Sequence, residues 1–136
     1  MENFKAKIRV RYADTDQMGF VYNGKYFEYF EVARTEFLRA RGLAYSDLEK
    51  AGYMLPVIEA NVKYKKPIYY DDVIEIETFV DNEQLPVVHI EYTIRREGEE
   101  LILAEGFTRH LFISSDKKRP VRPPKIYLDV VKQSGK

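Results

Sequence analysis

The sequence predicts an α+β domain in which a five-stranded antiparallel sheet packs on one long helix. Three observations carry this: a single stretch of helical periodicity, several later stretches of strict alternation, and turn signals short enough to join those strands as hairpins. The first stretch, Phe4 to Tyr12, alternates apolar Phe4, Ala6, Ile8 and Val10 with charged Lys5, Lys7, Arg9 and Arg11, the pattern of a strand with one solvated face. Ala13 to Gly24 holds two Asp, two Gly and an Asn, and reads as a loop. From Lys25 to Arg41 the period changes. Tyr26, Phe30, Ala33 and Phe37 form the stripe of an amphipathic helix, widened by Phe27 and Leu38, with Glu28, Glu31, Glu36 and Arg39 on the other side. Gly42 is the stop signal.

A short second helix is expected over Ser46 to Lys50, with Ser46 as cap and Glu49 three residues on. Strands are expected over Pro56 to Lys65, Val73 to Asp81, Val88 to Arg96 and Leu101 to Ser114, with Glu97-Gly98-Glu99 as a hairpin turn. Ala104, Gly106 and Thr108 supply small side chains that let a helix lie close to the last strand. Residues 115–136, basic and Pro-rich at their start, read as a partly extended tail. No repeat or linker divides the chain, so residues 1–136 are expected to form a single domain.

Composition narrows the function. Lys plus Arg and Asp plus Glu both number 22, so no electrostatic case exists for nucleic acid as a partner. No apolar run reaches the length of a membrane span, and the N-terminus lacks a signal-peptide core. The chain has no Cys, which removes thiolate metal sites, disulfides and a cysteine nucleophile and fits the expectation of a cytoplasmic protein. The 11 Tyr and 8 Phe are enough for a packed core and an apolar pocket.

Chemistry concentrates in Asp14-Thr15-Asp16-Gln17-Met18-Gly19, between a strand and a helix start. A calcium loop beginning at Asp14 fails, because Met18 and Lys25 occupy positions that need oxygen ligands. Loop carboxylates commonly cap turns or face solvent. Here both precede a glycine and the free N–H groups of a helix start, where a carboxylate can attack, or activate water against, a carbonyl whose developing oxyanion those groups hold. Rival arrangements are weak. His89 and His110 sit on separate strands, His89 on what reads as a solvated face. No Gly-x-Ser-x-Gly elbow, phosphate loop or clustered metal ligands are present, so no metal or cofactor is expected.

The segment from Arg11 through Asp14-Thr15-Asp16, Gly19, Val21-Tyr22 and Tyr26 to Phe30-Glu31-x-Ala33-Arg34 resembles the signature of the 4-hydroxybenzoyl-CoA thioesterase family. Within it, the chain looks most like the Tol-Pal-associated bacterial branch of short-chain acyl-CoA thioesterases. Tyr64-x-x-Pro67-x-x-x-Asp71-Asp72 matches the same family, and the resemblance spans about Val10 to Phe112. It implies the hotdog fold, an antiparallel sheet wrapped around one helix, in a homodimer or homotetramer. It also implies hydrolysis of an acyl-CoA, short-chain or aromatic, to a carboxylic acid and CoA. The catalytic carboxylate maps onto Asp16, as nucleophile or general base. Gly19, Tyr22, Asn23 and Tyr26 map onto the substrate-binding turn and helix start.

Two departures stand out. Asn23 occupies the position where the Tol-Pal branch carries His, and Asn cannot transfer a proton near neutral pH. Asp81-Asn82-Glu83-Gln84 stands where the 4-hydroxybenzoyl enzyme carries its basic phosphate-binding cluster. The remaining candidates for CoA phosphates are Lys63, Lys65 and Lys66, or Lys117, Lys118 and Arg119 in the tail. The alternative function on the same fold is a non-catalytic acyl-CoA or acyl-carrier-protein binding module. A hydratase or dehydratase would need a His beside the carboxylate.

Overall fold

The computed structural model describes residues 4–132; Met1–Asn3 and residues 133–136, the ends of the expected domain and tail, lie outside the described residues. The strands are β1 (Phe4–Arg9), β2 (Tyr53–Met54), β3 (Val57–Tyr64), β4 (Val73–Asp81), β5 (Val88–Arg96), β6 (Ile102–His110), β7 (Phe112–Ser114) and β8 (Pro120–Val121). The helices are α1 (Lys25–Ala40), α2 (Tyr45–Lys50) and α3 (Lys125–Val131). The main sheet runs β1-β4-β5-β6-β3 and every pair in it is antiparallel.

Alternation becomes two faces. The inner face carries Ala6, Ile74, Ile76, Thr78, Val80, Ile90, Tyr92, Ile94, Ala104 and Thr108, all buried. The outer face carries charged side chains that pair across strands, as in Lys7–Glu97, Arg95–Glu77, Lys65–Glu105 and Arg109–Glu59. The α1 stripe packs on the inner face. Phe30 stacks on Tyr92 with ring centroids 4.3 Å apart, and Phe37 meets Phe4 edge-on at 6.2 Å. Cutting Phe30 back to Ala would cost about 3–5 kcal/mol. Gly106 makes this approach possible: a Cβ there would lie 2.2 Å from the Asn61 carbonyl oxygen and 3.0 Å from the Phe30 ring. The helix ends at Gly42, whose φ of +87° lets Leu43 N–H reach back to the Leu38 carbonyl.

Several expectations are corrected. Tyr29, not Phe27, completes the buried stripe; Phe27 is partly exposed. Helix α2 begins at Tyr45, and its capping contact is Ala44 N–H to Asp47 rather than one from Ser46. The strand expected over Leu101 to Ser114 breaks at Leu111, and its last part leaves for a small sheet ordered β2-β7-β8. The stretch after Ser115 does not simply trail away: Pro120–Val121 pairs with β7, and α3 buries Tyr127 and Val131.

Strand β3 differs from its neighbours. It closes one edge of the sheet, and α1 leaves it largely uncovered, so Val57, Ile58 and Tyr64 are exposed.

Candidate active site

The loop between β1 and α1 is built by backbone hydrogen bonds. Asp14 N–H returns to Arg11 O and Thr15 N–H to Tyr12 O, closing a single turn of 3-10 helix over Tyr12–Asp14. Thr15 then pairs with Val21, and Phe20 with Tyr69, as isolated bridges. Between them Asp16 organises a tight turn. Its N–H donates to Phe20 O at 2.8 Å, and its carbonyl accepts from Gly19 N–H at 3.1 Å. Its side-chain Oδ1 accepts from Met18 N–H at 2.9 Å and from Phe20 N–H at 3.3 Å. Gly19 has a φ of +86°, a conformation that glycine adopts without strain.

The two carboxylates of the loop have different surroundings. Asp16 is exposed, whereas Asp14 is 3% exposed. Asp14 accepts from Arg11 N–H at 3.2 Å, the Arg11 guanidinium at 3.0 Å and the buried Tyr29 hydroxyl at 2.9 Å, and Lys25 Nζ stands 3.8 Å away. Burial alone would raise the Asp14 pKa. The Arg11 amide, the Tyr29 hydroxyl and the Arg11 guanidinium outweigh it and hold the group below the usual carboxylate range. Burial and the Asp14 charge together raise Tyr29, which stays a donor.

The far end of the loop turns into α1. Tyr22 N–H donates to the Asp14 carbonyl at 2.9 Å, which brings the helix start back against the carboxylate turn. Lys25 N–H and Tyr26 N–H bond back to Tyr22 and Asn23. Among the described residues, the Asn23 and Gly24 amides make no hydrogen bond to the chain. They are donors available at a helix N-terminus, next to a turn organised by a carboxylate.

Of the residues expected at the site, Asn23 and Tyr26 line an open pocket of about 250 Å³ with Phe20, Val21, Tyr64, Lys65, Lys66 and Pro67. Burial first, then the neighbouring Tyr64, pushes the Tyr26 hydroxyl up to about 12. Asp16 and Gly19 sit in the adjoining turn, and Tyr22 is exposed outside the lining. A separate groove of about 320 Å³ lies on the outer face of the sheet around Lys63, Glu91 and Glu105, with no residue of the loop in it.

Both histidines lie away from the loop. His110 is fully buried, with Nε2 2.9 Å from Thr108 Oγ1, which is itself 2.7 Å from Tyr92 OH. Burial, reinforced by the charge of Arg34, lowers its pKa to about 4, so it is neutral near pH 7. His89 is only 6% exposed despite its place on the outer face, where it contacts Glu91 and the Phe107 ring. Arg34 forms no ion pair with Glu31 among the described residues; its charge acts instead on the buried Tyr92 and His110. Among those residues, no cluster of three or more His, Asp and Glu could hold a metal ion.

Sequence reasoning missed Tyr29. Its one signal was a buried-type aromatic three positions after Tyr26, on the face of α1 that turns to the loop.

Comparison with known proteins agrees with this architecture. The family model described as the thioesterase-like superfamily matches residues 10–133. The Escherichia coli O6:H1 protein named acyl-CoA thioester hydrolase YbgC is 32% identical over 107 residues, covering 74% of this chain and 80% of the relative. A crystal structure of a DHNA-CoA thioesterase from Staphylococcus aureus superimposes with a TM-score of 0.85 at 35% identity, covering 95% of this chain and 86% of that one. A structure of a hypothetical protein from Aquifex aeolicus gives a TM-score of 0.87 at 33% identity, over 94% of this chain and 98% of that one. With the family matched along nearly its whole length and the helix-in-sheet architecture shared, the chain belongs to the thioesterase-like superfamily and is a hotdog-fold thioester hydrolase.

Proposed function

We propose that the protein hydrolyses an acyl-CoA to a carboxylic acid and CoA, with Asp16 as the catalytic carboxylate. The observation that carries this is the pairing of the Asp16 turn with a helix start whose Asn23 and Gly24 amides are unengaged. A thioester carbonyl placed against those amides has its developing negative charge stabilised while Asp16 attacks it or activates water. Gly19 shapes the turn, and Tyr22, Asn23 and Tyr26 border the carbonyl. Asn23 can orient a water but cannot move a proton, so Asp16 acts without a histidine partner.

The name of the 35% identical Staphylococcus aureus structure and the exposed rings of Tyr12, Tyr22, Tyr69 and Tyr70 around the loop support an aromatic acyl group; a short chain is the alternative. The uncovered β3 edge supports a homodimer or a homotetramer.

The test is hydrolysis of an acyl-CoA panel followed with a thiol reagent. Wild type should turn over at least one aromatic or short-chain substrate, and Asp16→Ala should lose on the order of 10³-fold in kcat/KM. Equal rates would remove Asp16 from the chemistry. Tight binding of acyl-CoA without turnover would mark a binding module instead.

A further inference from the structure

Resting on the acyl-CoA reading, we infer that Lys66, assisted by Lys65, is the anchor for the phosphates of CoA, with the pantetheine arm lying in the pocket between Tyr26, Tyr64 and Phe20. Six cations stand as candidates for this role, and the fold separates them. Lys63 projects onto the outer face among Glu91 and Glu105, where an anion is repelled. Lys65 lines the pocket but is paired with Glu105 at 3.1 Å. Lys66 lines the same pocket, is exposed, and has no carboxylate partner among the described residues. Lys117, Lys118 and Arg119 lie between β7 and β8, in the small sheet that β2 joins just after α2. Within one chain that puts them at the C-terminal end of α1, about 24 Å from the helix start by its 16 residues.

The pocket has the character of an arm-and-anion site. Its wall is aromatic, with Tyr26 and Tyr64 edge to face at 4.8 Å and Phe20 beside them. The backbone that carries its cations is fixed, because Lys65 N–H and Lys66 N–H both donate to Leu103 O. The spacing fits as well. Val21 N–H bonds Ile68 O at 2.8 Å, and Lys66 lies two residues before Ile68. At about 3.3 Å per extended residue plus a four-carbon stem, its ammonium can reach well away from the Asp16 turn. Phosphates held there stay clear of the Asp16 carboxylate while the thioester approaches it. An acyl group would gain nothing from two ammonium groups.

The experiment compares kcat/KM for an acyl-CoA with that for the same acyl group on N-acetylcysteamine, which has no phosphate. The ratio should fall about tenfold in Lys66→Glu, mainly through KM, and recover in Lys66→Arg. The CoA KM of wild type should rise with salt more steeply than that of Lys66→Glu. An unmoved ratio in Lys66→Glu, or a ratio that falls in Lys117→Glu instead, overturns the assignment. A wild type that turns over neither thioester sinks the hydrolase reading itself, a different result from an unmoved ratio.

Discussion

Asp14 and Asp16 stand two residues apart on one loop and live in opposite surroundings. Asp14 is buried, ringed by the Arg11 amide, the Arg11 guanidinium and the Tyr29 hydroxyl. Asp16 is exposed, with a single oxygen engaged by two backbone amides of its own turn. The first has every favourable contact a structural carboxylate can have, and no room to meet a substrate. The second has room for a substrate, and its protein contacts are local ones that set its direction. Residue type alone treats the pair as equivalent; the fold makes Asp14 a tie and leaves Asp16 open to solvent.

The largest effect should separate them most cleanly. Asp16→Asn keeps an oxygen for the Met18 and Phe20 amides but loses the charge, so kcat/KM should fall about 10³-fold, roughly 4 kcal/mol, while the denaturant midpoint barely moves. Asp14→Ala should do the reverse, costing about 2–3 kcal/mol in denaturant unfolding by stranding the buried Tyr29 hydroxyl and freeing Arg11. If both variants lose activity equally at full stability, the division of labour is wrong.

Acid sharpens the same contrast. The Asp14 pKa is depressed in the folded state, so its contribution to stability is present at neutral pH and fades as pH falls below about 4. His110 acts earlier. Its folded value of about 4 lies below the ordinary 6.5, so the unfolded chain takes up the proton first. Stability should therefore decline from about pH 6.5 down to about 4, and His110→Gln should flatten that part of a thermal-melt pH series. The smallest effect is Tyr29→Phe, which removes one donor from Asp14 and should cost about 1 kcal/mol by urea titration.

How much of this could be read beforehand depended on range. The period of α1 and the alternation of β1, β4 and β5 are local signals, and all four elements are present: β4 and β5 have the expected bounds, α1 ends one residue early, and β1 stops at Arg9 where Tyr12 was expected, because Tyr12 enters the 3-10 turn. Hairpin-length turns account for β4-β5-β6, whereas β1 beside β4 and β3 beside β6 are pairings between segments distant in sequence. Features decided by distant partners were not legible. Tyr29 meets Asp14 only when the helix folds back on the loop, and neither residue's neighbours announce it. His89 keeps the face that alternation gave it, yet the Phe107 ring beside it leaves it buried. In α3, Tyr127 and Val131 are four apart, a helical spacing, but the preceding prolines suggested an extended chain. At the site, the Asp16 loop was legible from its residue types, whereas the choice among the lysines needed the positions of Glu105 and the tail.

The way Asp16 is held has an isotopic consequence. The two oxygens of a free carboxylate exchange roles by a half-turn; here Oδ1 is tied to Met18 and Phe20, so the other is the one left to meet a substrate. If Asp16 is the nucleophile, a single turnover in heavy-oxygen water that splits the anhydride at the acyl carbon labels the product acid alone. Splitting at the aspartyl carbon leaves one heavy atom on the protein. If Asp16 is a general base, the protein stays unlabelled through any number of turnovers. Because the turn breaks the carboxylate's symmetry, any label retained on the protein after one cycle should return to product in the next rather than accumulate.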